Sequence, residues 1–191
     1  MATKSNIYRS GYSMEYGTFV GLGWGMLFLS YVGGICTGNA ALMLLCLALC
    51  GICLIMPFGF ALRLNKKLYA IEEKLSYWQG YWFSLVMFMY AGLMNGLIVF
   101  AYFHFFDGGA MYEQLHSLLT QSEIARTYQQ IGMGEQYAQI TSMLDEINEL
   151  SAFEKALAIF NNNCFYSFIM SFFVAIAASY AIKPQNKGMQ Q

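Results

Sequence analysis

Four long stretches without a charged side chain constrain this sequence more than any other feature. They cover approximately residues 16–35, 40–62, 78–106 and 156–182, and they consist mainly of aliphatic and aromatic residues. A helix needs about 20 apolar residues to cross a hydrocarbon layer about 30 Å thick. Each stretch meets that length. The sequence therefore predicts an all-α integral membrane protein built as a four-helix bundle.

The composition agrees with a lipid environment. Hydrophobic residues make up 58% of the chain and charged residues only 11%, whereas a soluble domain has about 25% charged residues. A chain of 191 residues cannot hide so much apolar surface from water. The formal net charge of −1 carries no basic signature of nucleic-acid binding. We therefore expect the lipid bilayer, rather than nucleic acid, as the partner.

The basic residues predict the orientation of the four spans. Eight of them fall on one side of the membrane, and only Arg126 and Lys155 fall on the other. The eight are Lys4, Arg9, Arg63, Lys66, Lys67, Lys74, Lys183 and Lys187. Because cytoplasmic loops carry an excess of Lys and Arg, we expect both termini and the 63–76 loop to lie in the cytoplasm. We therefore expect a multi-pass protein of a cytoplasmic (inner) membrane.

The region between the third and fourth spans, residues 107–155, is called the acidic segment here. It has eight acidic and two basic residues, a net charge of −6. Asp107-Gly108-Gly109 should end the third helix, and Gly132-Met133-Gly134 should form a turn. Apolar residues at three- and four-residue steps on both sides of that turn predict two amphipathic helices. We therefore expect an extracytoplasmic helical hairpin, which either stands off the membrane or lies along its surface.

This pattern divides the chain into three parts. Residues 1–106 hold the first three spans, residues 107–155 form the acidic segment, and residues 156–191 hold the fourth span and a cytoplasmic tail. Two capping-box patterns, Ser76 with Gln79 and Ser151 with Glu154, mark helix starts. The second pattern leaves open whether the fourth helix begins there or continues from the acidic segment.

Small residues recur at four-residue steps in three spans. Such steps place small side chains on one helix face and allow a second helix backbone to approach closely. The candidate helix-packing residues are Gly17, Gly21 and Gly25 in the first span, Gly92 and Gly96 in the third, and Ser171, Ala175 and Ser179 in the fourth. They predict either an interface between chains or packing among the four helices of one chain.

Polar residues within the spans are few, and none forms a catalytic set. Asn95, Asn161, Asn162 and Asn163 provide hydrogen-bonding groups within or near hydrocarbon; they predict structural hydrogen bonds or, alternatively, a polar path. Cys46, Cys50 and Cys53 share one helical face and indicate apolar packing, because metal binding and redox chemistry need thiolates that are costly in hydrocarbon. The sequence predicts no catalytic residues, no metal ligands and no cofactor.

The order of features resembles a known family. A basic loop from Arg63 to Lys74 is followed by Leu75-Ser-Tyr-Trp-Gln-Gly-Tyr-Trp-Phe, which enters an aromatic third helix. Tyr102 and Asp107 then lead into an acidic segment containing Met and Gln, and the fourth helix closes as Ala-Ile-Lys183. In these features the chain resembles the membrane protein family of unknown function DUF4199, found chiefly in the Bacteroidota. The resemblance implies four helices and a Gram-negative cytoplasmic membrane, and it transfers no functional residue.

These observations favour a non-enzymatic membrane protein that assembles with itself or with a membrane-protein partner, as a structural or accessory subunit. The conspicuous features are packing surfaces rather than reactive groups. A small channel or transporter formed by an oligomer is the alternative, with polar residues of the third and fourth helices along its path. An enzyme acting on lipid is a third possibility, but it needs a nucleophile, metal or acid–base pair that the sequence does not supply.

Overall fold

A computed structural model describes residues 4–69 and 76–180 of the chain, with side chains for 11–68, 76–121 and 123–179. The described residues fold into helices and no strands, which confirms the all-α class. The helices are α1 (Lys4–Thr37), α2 (Ala40–Tyr69), α3 (Tyr77–Phe105), α4 (Ala110–Leu119), α5 (Ser122–Gln130), α6 (Gly134–Glu149) and α7 (Ala152–Tyr180).

Four of these helices are long and apolar enough to span a membrane, as the sequence predicted. The spans are Gly11–Thr37, Ala40–Leu68, Tyr77–Phe105 and Ala152–Ser179. The helices α1 and α2 extend beyond their predicted apolar stretches, to Lys4 and Tyr69. A helix satisfies its own backbone, so it need not end where the hydrocarbon ends. Residues 70–75 of the predicted basic loop and residues 181–191 of the predicted tail lie outside the described residues.

The helix α3 lies at the centre of the bundle, between α1 on one side and α7 on the other. Its largest fully buried side chains are Met87 and Val99. Met87 packs in one cluster with Val20 of α1 and Val174 of α7. The helix α2 lies mainly along α1 and meets α7 where the Asn65 amide donates to the carbonyl oxygen of Ala178. The bundle end that carries Arg63, Lys66 and Lys67 is called the basic end, and the opposite end, with the acidic segment, is the acidic end.

Short polar turns fix where the long helices begin. At the start of α3, the Ser76 hydroxyl accepts from the Gln79 amide at 3.4 Å and the Gln79 side chain accepts from the Ser76 amide at 3.1 Å. At the start of α7, the Glu154 carboxylate accepts from the Ser151 amide at 2.8 Å. Because Leu150 is extended, α7 begins afresh at Ala152. This answers the question that the sequence left open.

The acidic segment contains three helices, so the expected hairpin of two helices is not what forms. The breaks at Gly108-Gly109 and at Gly132 occur as predicted, with left-handed backbone at all three glycines. An additional break falls at Thr120-Gln121. There the Tyr137 hydroxyl donates to the carbonyl oxygen of Leu119 at 3.0 Å, which satisfies a carbonyl that the helix end leaves unpaired. The break is thus stabilised by a contact from α6.

Candidate functional site

The glycine row of α1 is buried against α3 of the same chain. A Cβ added to Gly21 would lie 2.6 Å from Cβ of Met94, and one added to Gly17 would lie 2.7 Å from Cβ of Tyr90. Gly25 faces the side chain of Ile98 just as closely. The three glycines therefore allow two helix backbones of one chain to approach, and this row is occupied without a second chain.

The small residues of α3 and α7 form the second close contact of the bundle. Gly92 packs against Cβ of Asn163, where an added Cβ would lie at 3.3 Å, and Gly96 packs near the backbone of Ala156. Ser171 and Ala175 are fully buried. Ser179 is partly buried and its hydroxyl donates to the carbonyl oxygen of Ala175 at 2.9 Å. Seven of the eight predicted helix-packing residues are therefore buried within the chain, and Ser179 is only partly buried.

The four candidate asparagines do not come together. Asn95 is buried in α3, with 7% of its surface exposed, and Asn163 is partly buried in α7. Asn161 and Asn162 are exposed. Successive helical residues are rotated by about 100°, so three consecutive side chains cannot share a face. The structure therefore places two asparagines in the bundle and two on its surface.

Four buried polar atoms of the bundle have no hydrogen-bond partner within the described residues. They are Oη of Tyr16, Oδ1 of Asn95, Nδ2 of Asn163 and Oγ of Ser171. An unpaired buried donor or acceptor costs about 1–3 kcal/mol. Such atoms indicate places where a group outside the chain, such as water or a ligand, completes the hydrogen bonding.

The junction between α3 and α4 is held by the buried carboxylate of Asp107, which the sequence pattern predicted only as part of a helix break. Oδ1 of Asp107 accepts from the Tyr102 hydroxyl at 2.9 Å and from the Met111 amide at 3.1 Å. Oδ2 accepts from the Gly109 amide at 3.2 Å. The signal was present in the sequence, because Asp followed by two glycines is typical of a turn in which the carboxylate binds its own backbone.

The helices of the acidic segment are joined by tyrosines. The Tyr112 hydroxyl of α4 donates to Oδ1 of Asp145 in α6 at 2.8 Å. This hydrogen bond to a carboxylate raises the pKa of Tyr112 above its ordinary value of 10.0, with smaller contributions from desolvation and from the charge of Asp145. The Tyr137 ring of α6 packs against Tyr128 of α5 at a centroid distance of 5.6 Å. One face of α6 is thus committed to α4 and α5.

A second face of α6 is apolar and exposed. It is called the α6 stripe and consists of Ile140, Met143, Ile147 and Leu150, at steps of three and four residues. Their side chains are 36–60% exposed. The same helix carries the exposed acidic residues Glu135, Glu146 and Glu149 and no Lys or Arg. The sequence pattern showed one broad apolar face, and the structure divides it into the face packed on α4 and α5 and this exposed stripe.

The potential metal-binding side chains are not grouped together in the described part of the chain. Within residues 4–69 and 76–180, no group of three or more His, Cys, Asp or Glu side chains is placed to hold a metal ion. The five cysteines are free thiols, of which Cys46, Cys50 and Cys53 lie in α2. The two histidines each lie against an aromatic ring: His104 against Phe100, and His116 against Tyr112.

Four apolar helices with α3 at their centre, and a short helical layer at one end, define a membrane protein of the multi-helix bundle type. The chain belongs to the protein family of unknown function DUF4199, whose model matches residues 15–179 and so most of the sequence. This confirms the resemblance drawn from the basic loop, the aromatic third helix and the acidic segment. Comparisons with curated proteins and with solved structures give no significant match.

Proposed function

We propose that this chain is a non-enzymatic accessory subunit of the bacterial cytoplasmic membrane that binds a partner protein through the α6 stripe. The observation that carries the proposal is the exposed apolar stripe on a helix whose charged side chains are all acidic. Exposed apolar surface rimmed by polar residues is typical of interaction sites. The glycine rows are already packed within the chain, so they are not the docking surface.

The charge of α6 favours a different protein over a second copy. Two α6 stripes packed face to face bring like-charged helices together, because α6 carries the exposed residues Glu135, Glu146 and Glu149 and no basic residue. Like charges placed opposite each other oppose such pairing. Anionic lipid is disfavoured for the same reason. The expected partner therefore has an apolar groove or helix edged with Lys or Arg.

Photo-cross-linking at native expression tests this proposal. A photoreactive amino acid at Met143, in the middle of the stripe, should give a cross-linked product with another membrane-associated protein, identified by mass spectrometry. The same residue at Gln129, exposed on α5, is the matched control and should give little product. Higher salt should weaken the association, because the acidic side chains of α6 are exposed. Capture only of a second copy of this chain, or equal products at both positions, would refute the proposal.

The orientation belongs to the same proposal: both termini in the cytoplasm and the acidic segment outside. The distribution of basic residues supports it. In a cysteine-free background, Ser142→Cys on α6 should react with a membrane-impermeant maleimide in intact spheroplasts. Lys66→Cys, exposed at the basic end, should react only after the membrane is opened. The reverse pattern would invert the topology and expose the stripe to the cytoplasm.

A transport role is the second candidate, favoured by the four unpartnered polar atoms in the bundle. These groups can interact with water or solute passing between helices. Flux through liposomes containing the purified protein should then fall in Asn95→Leu and persist in Asn162→Leu, since Asn162 is exposed on the surface. Equal flux in both variants removes Asn95 from any pathway.

A further inference from the structure

The basic end of the bundle carries three exposed cations on one helix. They are Arg63, Lys66 and Lys67, in the last two turns of α2. Glu15 is the one acidic residue within the described range 4–69, and no ion pair joins it to these cations there. The whole 63–76 loop has four basic and two acidic residues, a net charge of +2. This end of the protein therefore presents an excess of positive charge to its surroundings.

Lys67 is held in place by aromatic rings of α1. Its ammonium lies 4.0 Å from the ring centroid of Tyr12 and 6.0 Å from that of Tyr16. A lysine side chain loses much rotational freedom when it is fixed in one position. Because the rings already restrict Lys67, less freedom is lost when an anion binds to it. The side chain is nevertheless exposed, so its ammonium is accessible to an anion.

The length of α2 places this cation at the level of lipid head groups. The helix begins at Ala40, and the distance along its axis to Lys67 is about 40 Å at 1.5 Å per residue. A bilayer with its head groups is about 40–45 Å thick. A helix that begins at one surface of the bilayer therefore carries Lys67 to the phosphates of the opposite leaflet.

Aromatic side chains continue from these cations towards the hydrocarbon, along the seam between α1 and α2. Phe60, Arg63 and Lys67 follow each other at steps of three and four residues, so they share one side of α2. Phe60 stacks on Tyr16 with ring centroids 4.5 Å apart. It also lies 6.4 Å from the ring of Phe19, which is exposed. The seam thus combines positive charge at head-group level with apolar rings at greater depth.

This order of charge and apolar surface matches one class of molecule. We propose that the α1–α2 seam binds an anionic phospholipid of the leaflet at the basic end, with its phosphate at Arg63 and Lys67 and one tail along Phe60 and Phe19. A zwitterionic head group carries its own cation, which the positive side chains repel. A soluble anion leaves the aromatic rings without a partner. The general excess of basic residues on one side of a membrane protein accounts for the sign of this charge but not for the fixed position of Lys67.

Native mass spectrometry of the purified, delipidated protein tests this preference. The protein is given equal concentrations of phosphatidylglycerol and phosphatidylcholine with identical tails, and the first bound lipid of each kind is counted. The parent protein should retain phosphatidylglycerol in several-fold excess over phosphatidylcholine. Inorganic phosphate at the concentration of the lipid should not displace it, because phosphate has no tail to contact the rings.

Single substitutions assign the preference to the seam. Lys67→Gln should lower the preference for phosphatidylglycerol about fivefold, the effect of one charge near a lipid surface, whereas Lys67→Arg keeps the charge and should resemble the parent. Lys66→Gln removes the same charge from the next residue, which is rotated by about 100° around α2, and should have a smaller effect. Arg126→Gln, exposed on α5, is the distant control and should have none. The melting temperature of each variant verifies that the bundle is intact.

Three outcomes overturn the proposal. The first is equal retention of the two lipids by the parent protein. The second is an effect of Lys67→Gln no larger than that of Lys66→Gln, which assigns any preference to the general charge of the basic end. The third is displacement of phosphatidylglycerol by inorganic phosphate at equal concentration, which makes the site one for soluble anions. None of these results depends on the α6 stripe or on the orientation of the chain, so the proposed function stands or fails separately.

Discussion

Gly21→Ala is the substitution whose effect the structure defines most closely. The added methyl carbon would lie 2.6 Å from Cβ of Met94 and 2.7 Å from the carbonyl oxygen of Ala91. Unstrained carbon atoms stay about 3.5–4.0 Å apart, so α1 and α3 must separate by about 1 Å at this point. The Cβ atom of Met94 and the carbonyl oxygen of Ala91 are fixed to the backbone, so a change of side-chain rotamer cannot move them away. The helices themselves must move.

The expected cost follows from two opposing effects. Overpacking of a well-packed contact costs about 1–3 kcal/mol, while replacing Gly by Ala within a helix returns about 0.5–1 kcal/mol. The free energy of unfolding should therefore fall by about 0.5–2 kcal/mol. For a chain of this size, a change of 1 kcal/mol shifts the melting temperature by about 2–4 °C. We expect a decrease of about 1–8 °C.

The assay is thermal unfolding of purified protein in mild detergent, followed by circular dichroism. Gly51→Ala is the matched control, since it lies in α2 and a Cβ there has no atom within 4 Å. Its melting temperature should be unchanged or slightly raised. The reasoning is refuted if Gly21→Ala melts like the control. If that variant instead loses an oligomer seen in the parent protein, the glycine row packs between chains and not within one.

Three further predictions test single contacts. Asn65→Leu removes the bond to the carbonyl oxygen of Ala178 and should lower the free energy of unfolding by about 1–2 kcal/mol, measured by the same melting assay. Asp107→Ala leaves its two backbone partners unpaired, so hydrogen exchange in α4 should accelerate while that in α3 stays slow; uniform rates would contradict it. The pKa of Tyr112 is raised in the folded state by its bond to Asp145. The Tyr112–Asp145 contact should therefore be fully present below the ordinary tyrosine pKa and be lost as the pH rises through the raised value. Energy transfer between labels on α4 and α6 would detect this loss. The pH dependence should be absent in Tyr112→Phe.

The four spans were predictable because hydrocarbon tolerates few alternatives. A segment that crosses it must satisfy its backbone internally and avoid charge, and both requirements are visible in the sequence. The capping boxes at Ser76 and Ser151 were visible for a similar reason, since they are local in sequence. The breaks at Gly108-Gly109 and Gly132 needed only backbone conformations that glycine adopts readily.

The remaining features depend on contacts between distant residues. The break between α4 and α5 is stabilised by Tyr137, eighteen residues away from Leu119, and no local pattern encodes that hydrogen bond. The glycine row of α1 was ambiguous because small residues allow close approach of a helix from the same chain or from another. The separation of Asn163 from Asn161 and Asn162, by contrast, follows from helical rotation alone and was available from the sequence.

The helix α2 is held near both of its ends. At the acidic end, the two residues Gly38 and Asn39 connect it to α1, and Gly38 adopts a φ of 63°. At the basic end, the Asn65 amide joins it to α7. Because both ends are tied to neighbouring helices, we expect outward movement of α2 to concentrate in its middle. Pro57, which lacks a backbone donor, lies in that middle region. The helix is therefore easiest to bend there.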